Sequence, residues 1–318
     1  MDPEVVFALL ASASFAASHV VSKRGLQGTS VTAGLMVIVG CAWVVVSIPV
    51  LINPPGTVSA KSLALFAISG LFAPAVSRAA ALAGVHALGP SISVPIQQGL
   101  RPLIVLPAAA LLLGEAFGLL RGVGVALIVT GGWVLSRQPG GGTADVPIDH
   151  SLEEVEGPAG PSSMRTRVRQ RTAAISRGFR PGIVYPVAAA FAYATSDLLV
   201  KSGLDSASEP AFGAMLSIGV GLLVWSIAHA LPSIRRRFRL GREAGWLVLS
   251  GALMGTAILL LFNALDRGDV SLVAPVVATQ PLLVFLFSAL ILRHLERRER
   301  SMIVASAIVV VGTILVSQ

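Results

Sequence analysis

Long runs of apolar residues, separated by short polar segments, extend along almost the whole chain. Ten of these runs are long enough to cross a hydrocarbon layer of roughly 30 Å as helices. They cover residues 5–21, 31–52, 63–82, 91–113 and 119–135, and then 183–200, 211–231, 245–265, 270–292 and 301–317. The pattern therefore predicts an all-α membrane protein with ten transmembrane helices.

One long polar stretch divides these runs into two groups of five. We expect a first five-helix unit at 1–135, a cytoplasmic linker at 136–182 and a second unit at 183–318. The glycines, acidic residues and arginines of the linker cannot form a packed core. Its second part is either a disordered basic tether or a basic helix on the membrane surface. The helix is favoured by apolar residues at helical spacing, namely Met164, Val168, Ile175 and Phe179.

The two units resemble copies of each other, offset by about 180 positions. The matching positions are Ser18, Lys23, Gly25, Ser91, Pro95 and Glu115 with Ser196, Lys201, Gly203, Ser271, Pro275 and Glu296. Because each unit has an odd number of helices, the second copy must enter the membrane in the opposite sense. The sequence therefore predicts two inverted five-helix repeats.

Composition and charge agree with a membrane protein and indicate its orientation. Only 13% of the residues are charged, 54% are hydrophobic and the mean hydropathy is +0.80, which excludes a soluble protein. The net charge of +8 comes from arginines next to apolar runs, so we expect contacts with anionic lipid headgroups and none with nucleic acid. One set of loops holds eighteen basic residues and the other three. The richer set should be cytoplasmic, with both termini outside the cell membrane.

The first apolar run differs from a signal peptide. No basic residue precedes it, whereas Lys23 and Arg24 follow it, which reverses the charge order of a signal. We expect this run to remain as the first helix.

The run from residue 111 to 135, LLLGEAFGLLRGVGVALIVTGGWVL, resembles the end of an EamA-type repeat of the drug/metabolite transporter superfamily. In that family a pair ending in Gly-Glu, here Gly114 and Glu115, joins the fourth and fifth helices of each repeat. The second unit has Leu295 and Glu296 at this junction and lacks the glycine. The resemblance implies a transporter whose fourth and ninth helices line a central cavity.

Polar residues and prolines concentrate in the fourth and ninth predicted helices. Arg101 lies near the middle of the fourth, and Gln97 lies on the same face, with Gln98 nearby. The ninth contains Thr279 and Gln280 between Pro275 and Pro281. A buried arginine needs a polar partner. Arg101 either binds an anionic substrate or is held by Gln98 and by carbonyls that the prolines release.

Four further residues have charged or titratable side chains within or at the ends of spans. Arg78 in the third span either binds an anion or extends to the inner headgroups. Asp197 is the only acidic residue placed inside a span, in its outer third. Its expected partner is Lys201, four residues later, and the alternative is a proton-coupling carboxylate. His19 is the repeat equivalent of Asp197, and histidine is the residue type whose charge ordinarily changes near neutral pH.

These features predict a secondary transporter that moves a small carboxylate- or phosphate-bearing metabolite by alternating access. The sequence has no nucleotide-binding loop, catalytic cluster, metal-ligand spacing or cofactor motif, and its single cysteine is Cys41. The predicted substrate-binding residues are Arg101, Gln97, Gln98, Arg78, Gln280 and Thr279, and the predicted coupling residues are Asp197, His19 and Lys201. A membrane-embedded enzyme or lipid-handling protein that binds an anionic headgroup is the alternative.

Overall fold

The computed structural model describes residues 2–26, 29–81, 84, 90–115, 118–136, 181–231 and 238–291, with four positions near the C-terminus (308, 311, 312 and 315). All regular elements in these ranges are helical. Residues 137–180 of the linker predicted at 136–182, with its basic helix, lie outside the described residues. So does most of the tenth predicted span.

Ten α-helical segments follow one another along the described ranges. In the first unit they are α1 Pro3–Gly25, α2 Val31–Ile52, α3 Ala60–Gly70, α4 Pro90–Leu112 and α5 Leu119–Ser136. In the second unit they are α6 Val184–Ser206, α7 Pro210–Ala230, α8 Gly245–Arg267, α9 Val270–Val277 and α10 Gln280–Ile291. Because α9 and α10 together cover the ninth predicted span, nine of the ten predicted spans are represented.

Five described helices are long and apolar enough to cross a membrane, and they cover Pro3–Ser22, Thr32–Ile52, Ala60–Ala81, Pro210–Ala230 and Arg242–Arg267. Large apolar side chains on the outer surface remain exposed, including Leu51, Leu111 and Ile227. In water such a surface would be unfavourable, whereas in a bilayer it contacts lipid tails. The chain is therefore a membrane protein.

The third span changes its helical winding part-way along. The α-helix α3 continues into a π-helix at Leu71–Ser77, which contains Pro74, and then into α-helical residues at 78–81. Pro74 has no backbone N–H to donate, and the Ser77 hydroxyl donates to the Phe72 carbonyl at 2.7 Å. The π-segment therefore lies directly before Arg78.

The fourth and ninth spans respond differently to their prolines. The helix α4 continues through Pro95, Pro102 and Pro107 without interruption. The ninth span is broken at residues 278–279. There the Thr279 hydroxyl donates to the Val276 carbonyl at 2.7 Å, and such local side-chain bonds compete with helical ones.

The third span of each unit packs against the first helix of the other unit. In the first unit, Gly25 of α1 packs against Leu247 of α8, and a Cβ on Gly25 would lie 2.7 Å from that side chain. In the second, Gly203 of α6 packs against Phe66 of α3, with a corresponding distance of 2.6 Å. These are the same two repeat positions, so the contact is made twice with the units exchanged.

A pair of serine contacts shows the same exchange. Ser18 of α1 donates to the Ser250 carbonyl of α8 at 2.8 Å. Ser196 of α6 donates to the Ser69 carbonyl of α3 at 3.3 Å. Ser18 is equivalent to Ser196 and Ser250 to Ser69, so the two halves are repeats in their packing as well as in their sequence.

Candidate functional site

Arg101 and Asp197 come from different units and lie at a similar depth in the bundle. Arg101 is eleven residues from the end of α4, roughly 16 Å along the axis, and Asp197 is nine residues from the end of α6, roughly 14 Å. Because α6 continues to Ser206, Asp197 lies near the middle of its helix. The prediction that it lies in the outer third is wrong.

The two side chains form a bidentate ion pair. Arg101 Nε donates to Asp197 Oδ2 and Arg101 Nη2 donates to Asp197 Oδ1, each at 2.7 Å. Both residues are 5% exposed, so water is largely excluded from the pair. The Arg101 guanidinium also lies 5.3 Å from the centre of the Tyr193 ring, one turn before Asp197 on α6. A planar fork of this kind holds a carboxylate in one orientation.

The predicted partner of Asp197 is wrong. Lys201 instead pairs with Asp205, one turn further along α6, at 3.1 Å. Asp205 is half-exposed, so this second pair lies at the edge of the bundle. A guanidinium offers a buried carboxylate two parallel hydrogen bonds, whereas an ammonium is a strongly hydrated point charge. The buried carboxylate of Asp197 therefore pairs with Arg101, and the more exposed carboxylate of Asp205 pairs with Lys201.

Two glutamines connect the units beside this pair. Gln98 Nε2 on α4 donates to Gln280 Oε1 at the start of α10, at 2.9 Å. The amide oxygen of Gln98 is buried and accepts no hydrogen bond from the described residues. Gln97 is also buried. Gln98 therefore does not satisfy Arg101, contrary to the structural alternative considered from the sequence, and its free oxygen can accept a bond from a ligand.

Thr279 lies in the break between α9 and α10. Its hydroxyl contacts the Ser12 hydroxyl of α1 at 3.3 Å, in addition to its bond to Val276. Thr279 and Gln280 are adjacent, so the break belongs to the same region as the glutamine pair. The structure thus brings four predicted site residues, Arg101, Asp197, Gln98 and Gln280, into one buried region. Thr279 lies beside this region.

The remaining predicted residues lie elsewhere in the bundle. Arg78 is half-buried after the π-segment, and its Nη2 contacts Met254 Sδ of α8 at 3.3 Å. His19 has an exposed side chain on α1. Neither shares a described contact with the ion pair, and Lys201 is occupied by Asp205.

Comparison with known proteins matches the chain to one family. The model of the EamA-like transporter family matches residues 2–137 and 180–318. The chain belongs to the EamA-like transporter family. One crystal structure superposes with a TM-score of 0.69 at 16% identity, over 98% of this chain and 95% of that one, which supports the fold alone. No curated protein matches the chain.

The glutamate of the EamA-like junction has a structural role that the sequence did not reveal. Glu115 follows Gly114, which has a φ of +69° that glycine adopts without strain. Its two carboxylate oxygens accept from the backbone N–H groups of Val270 and Ser271, at 2.9 and 2.8 Å. These groups begin α9 and have no partner within the helix. The first unit therefore caps a helix of the second.

Sequence reasoning also missed Tyr193 and Ser12 as members of this region. Tyr193 had a signal, because it precedes Asp197 by four and shares its helix face. Ser12 had none, since its partners are more than 260 positions away. A separate apolar recess of about 240 Å³ lies between α4 and α5, lined by Leu106, Pro107 and Val125 among others. It contains none of the polar site residues.

Proposed function

We propose that this protein is a secondary transporter that moves a small carboxylate- or phosphate-bearing metabolite across the cell membrane by alternating access. In this proposal ten helices span the membrane, the second repeat is inverted relative to the first, and both termini lie outside. Family membership supports the transporter class, and the buried polar region between the two units supports the site.

The observation that most supports a substrate site is the hydrogen-bond geometry of the Arg101 side chain. A guanidinium has five N–H donors, and Asp197 uses two of them, from Nε and Nη2. Within the described part of the chain, no hydrogen bond uses the edge formed by Nη1 and the second hydrogen of Nη2, so this edge remains for another pair of oxygens. Asp197 therefore orients the guanidinium, and an anionic group of the substrate binds the other edge.

The location of the region favours a transport site. Arg101 and Gln98 belong to the first unit, and Asp197 and Gln280 to the second, so the polar contacts cross between repeats. Carriers built from inverted repeats bind their substrates near the midplane at the repeat interface. We include Gln97, Gln98, Gln280 and Thr279 in the site, with Arg78 as a second cation and Asp197, His19 and Lys201 as coupling groups.

The experiment begins with thermal unfolding of the purified protein against a panel of small carboxylates and phosphate esters, because a specific ligand stabilises the folded state. Flux of the best ligand into proteoliposomes is then measured for wild type, Arg101→Lys and Arg101→Gln. Lysine keeps the charge and loses the fork, so affinity should fall by at least tenfold, and glutamine should lose more.

The controls separate binding from folding. Arg267→Gln removes an exposed arginine at the end of α8 and should transport as wild type does. The double variant Arg101→Gln, Asp197→Asn removes both buried charges, so it should fold and still fail to transport. Wild-type affinity and rate in Arg101→Gln would contradict the assignment. Stabilisation by anionic phospholipid alone would favour the lipid-handling alternative.

A further inference from the structure

The break between α9 and α10 exposes backbone oxygens inside the bundle. Pro281 has no N–H, so it cannot donate to the Val277 carbonyl four residues earlier. The Val277 carbonyl instead accepts from the Ser12 hydroxyl, at a long 3.4 Å. Ser12 and Val277 are fully buried. A carbonyl freed by a helix break in this position is available to a ligand.

Four oxygens gather at this point. The two hydroxyls, Ser12 Oγ and Thr279 Oγ1, lie 3.3 Å apart. Ser12 Oγ lies 3.4 Å from the Val277 carbonyl, and Thr279 Oγ1 lies 2.7 Å from the Val276 carbonyl. The Val276 carbonyl also accepts from the Thr279 backbone N–H at 3.2 Å, which leaves it one lone pair for an ion once the hydroxyl rotates away. The recorded polar contacts of both hydroxyls, among the described residues, are all with oxygen. They come from α1 in the first unit and from the broken span in the second.

The electrostatic setting favours a cation. Val276 and Val277 are the last residues of α9, and the C-terminal end of a helix has a partial negative charge. Hydroxyl and carbonyl oxygens present lone pairs to a cation, and the hydroxyl hydrogens can rotate away. In membrane carriers with broken helices, unwound carbonyls and half-helix C-terminal ends coordinate the coupling ion.

The spacing and the neutral charge of the four oxygens favour a monovalent ion. All four oxygens are neutral, whereas protein sites for Ca²⁺ and Mg²⁺ normally include carboxylates. An octahedron with metal–oxygen distances of about 2.4 Å, within the range that Ca²⁺ uses, has neighbouring oxygens about 3.4 Å apart. Ser12 Oγ meets that spacing with both of its neighbours. Na⁺ has nearly the radius of Ca²⁺ with half its charge, and K⁺ requires a wider cage.

We propose that Na⁺ binds between Ser12 and Thr279, with the carbonyl groups of Val276 and Val277 as further ligands. Thr279 is followed directly by Gln280, which accepts from Gln98. An ion that fixes the break therefore also fixes one wall of the substrate region. Na⁺ is then a coupling ion in addition to the coupling groups proposed above. This second step rests on the proposed transport function, whereas the binding of Na⁺ does not.

The test uses the purified full chain and Na⁺ alone. Thermal unfolding is measured in NaCl, KCl and choline chloride at equal ionic strength, and equilibrium binding is measured with ²²Na⁺. Na⁺ should raise the melting temperature saturably, K⁺ and choline should not, and ²²Na⁺ should bind one per chain. Equal stability in the three salts, with no saturable ²²Na⁺ binding, would overturn the site.

Two variants remove one ligand oxygen each. Ser12→Ala and Thr279→Val should each weaken Na⁺ binding by at least tenfold, and both changes keep or reduce side-chain volume. Thr256→Val is the matched control, because Thr256 is exposed on α8 and its hydroxyl bonds only to the Ala252 carbonyl of its own helix. Unchanged Na⁺ affinity in both folded variants would also overturn the site.

A flux experiment separates coupling from binding. Metabolite uptake into proteoliposomes should require an inward Na⁺ gradient, and Ser12→Ala should abolish that dependence. Equal uptake in Na⁺ and choline would contradict the coupling. A chain that binds Na⁺ and moves none of the metabolites would contradict the proposed function and leave the Na⁺ site in place.

Discussion

The ion pair between Arg101 and Asp197 should stabilise the contact between the two units, and a double-mutant cycle measures how much. Its two charge-assisted bonds, at 2.7 Å each, lie in a region that water scarcely reaches. Removing one partner leaves a buried charge without compensation, which typically costs about 3–5 kcal/mol. Arg101→Met and Asp197→Leu should each destabilise the protein by this amount.

The double variant should behave differently from the sum of the two single variants. Replacing a whole buried pair by apolar residues of similar volume is often neutral or stabilising. We therefore expect the unfolding free energy of the double variant Arg101→Met, Asp197→Leu to lie within about 1 kcal/mol of the wild-type value, which gives a coupling free energy of roughly 5 kcal/mol or more. The measurement is the unfolding free energy in mixed micelles, followed by tryptophan fluorescence.

The pair of Lys201 and Asp205 is the matched control within the same helix. Asp205 is half-exposed, so the interaction is screened by water and headgroups. Exposed pairs contribute about 0.2–1 kcal/mol, and the cycle with Lys201→Met and Asp205→Leu should give a value in that range. Coupling of Arg101 with Asp197 no larger than this control would refute the reasoning from burial and bidentate geometry.

Three further predictions concern other contacts. Glu115→Gln should lower the unfolding free energy by about 1–2 kcal/mol, since an amide replaces one oxygen acceptor of the α9 cap by a donor; unchanged stability would show that water caps this helix equally well. Gly70→Ala places a Cβ against the Ser217 backbone oxygen and should lower the melting temperature, whereas Gly40→Ala, with open space around it, should not. A cysteine introduced at Gly141 should resist impermeant thiol reagents on intact cells, and labelling there would reverse the predicted orientation.

Much of the helical framework follows from apolar periodicity. The bounds predicted for α2 agree with Val31–Ile52, and those for α4 and α5 differ by single residues. Such runs must be helical in a bilayer, because lipid offers no partners for backbone groups. The end of α6 was missed because Lys201 and Asp205 resemble a loop in composition. They form an ion pair on the helix surface instead.

Several residues of the buried polar region were predictable from the sequence, but their pairing was not. Arg101, Asp197 and Gln280 were identified because polar residues are costly inside spans. Asp197 was assigned to Lys201 because helical spacing reveals only neighbours on the same helix. The true partner lies 96 positions away, on a helix of the other unit. Such contacts depend on how the repeats exchange their helices, which no local pattern specifies.

The ion pair makes the two repeats chemically unequal, although their backbone contacts are repeated. Asp197 corresponds to His19, whereas the position equivalent to Arg101, at the offset of 180 that pairs Ser91 with Ser271 and Pro95 with Pro275, is Pro281. The counterpart of the ion pair therefore cannot form. If the two units exchange their packing during transport, only the arrangement seen here contains the ion pair between Arg101 and Asp197. The pair should therefore favour this arrangement over the exchanged one. The variant without both charges should lose that preference.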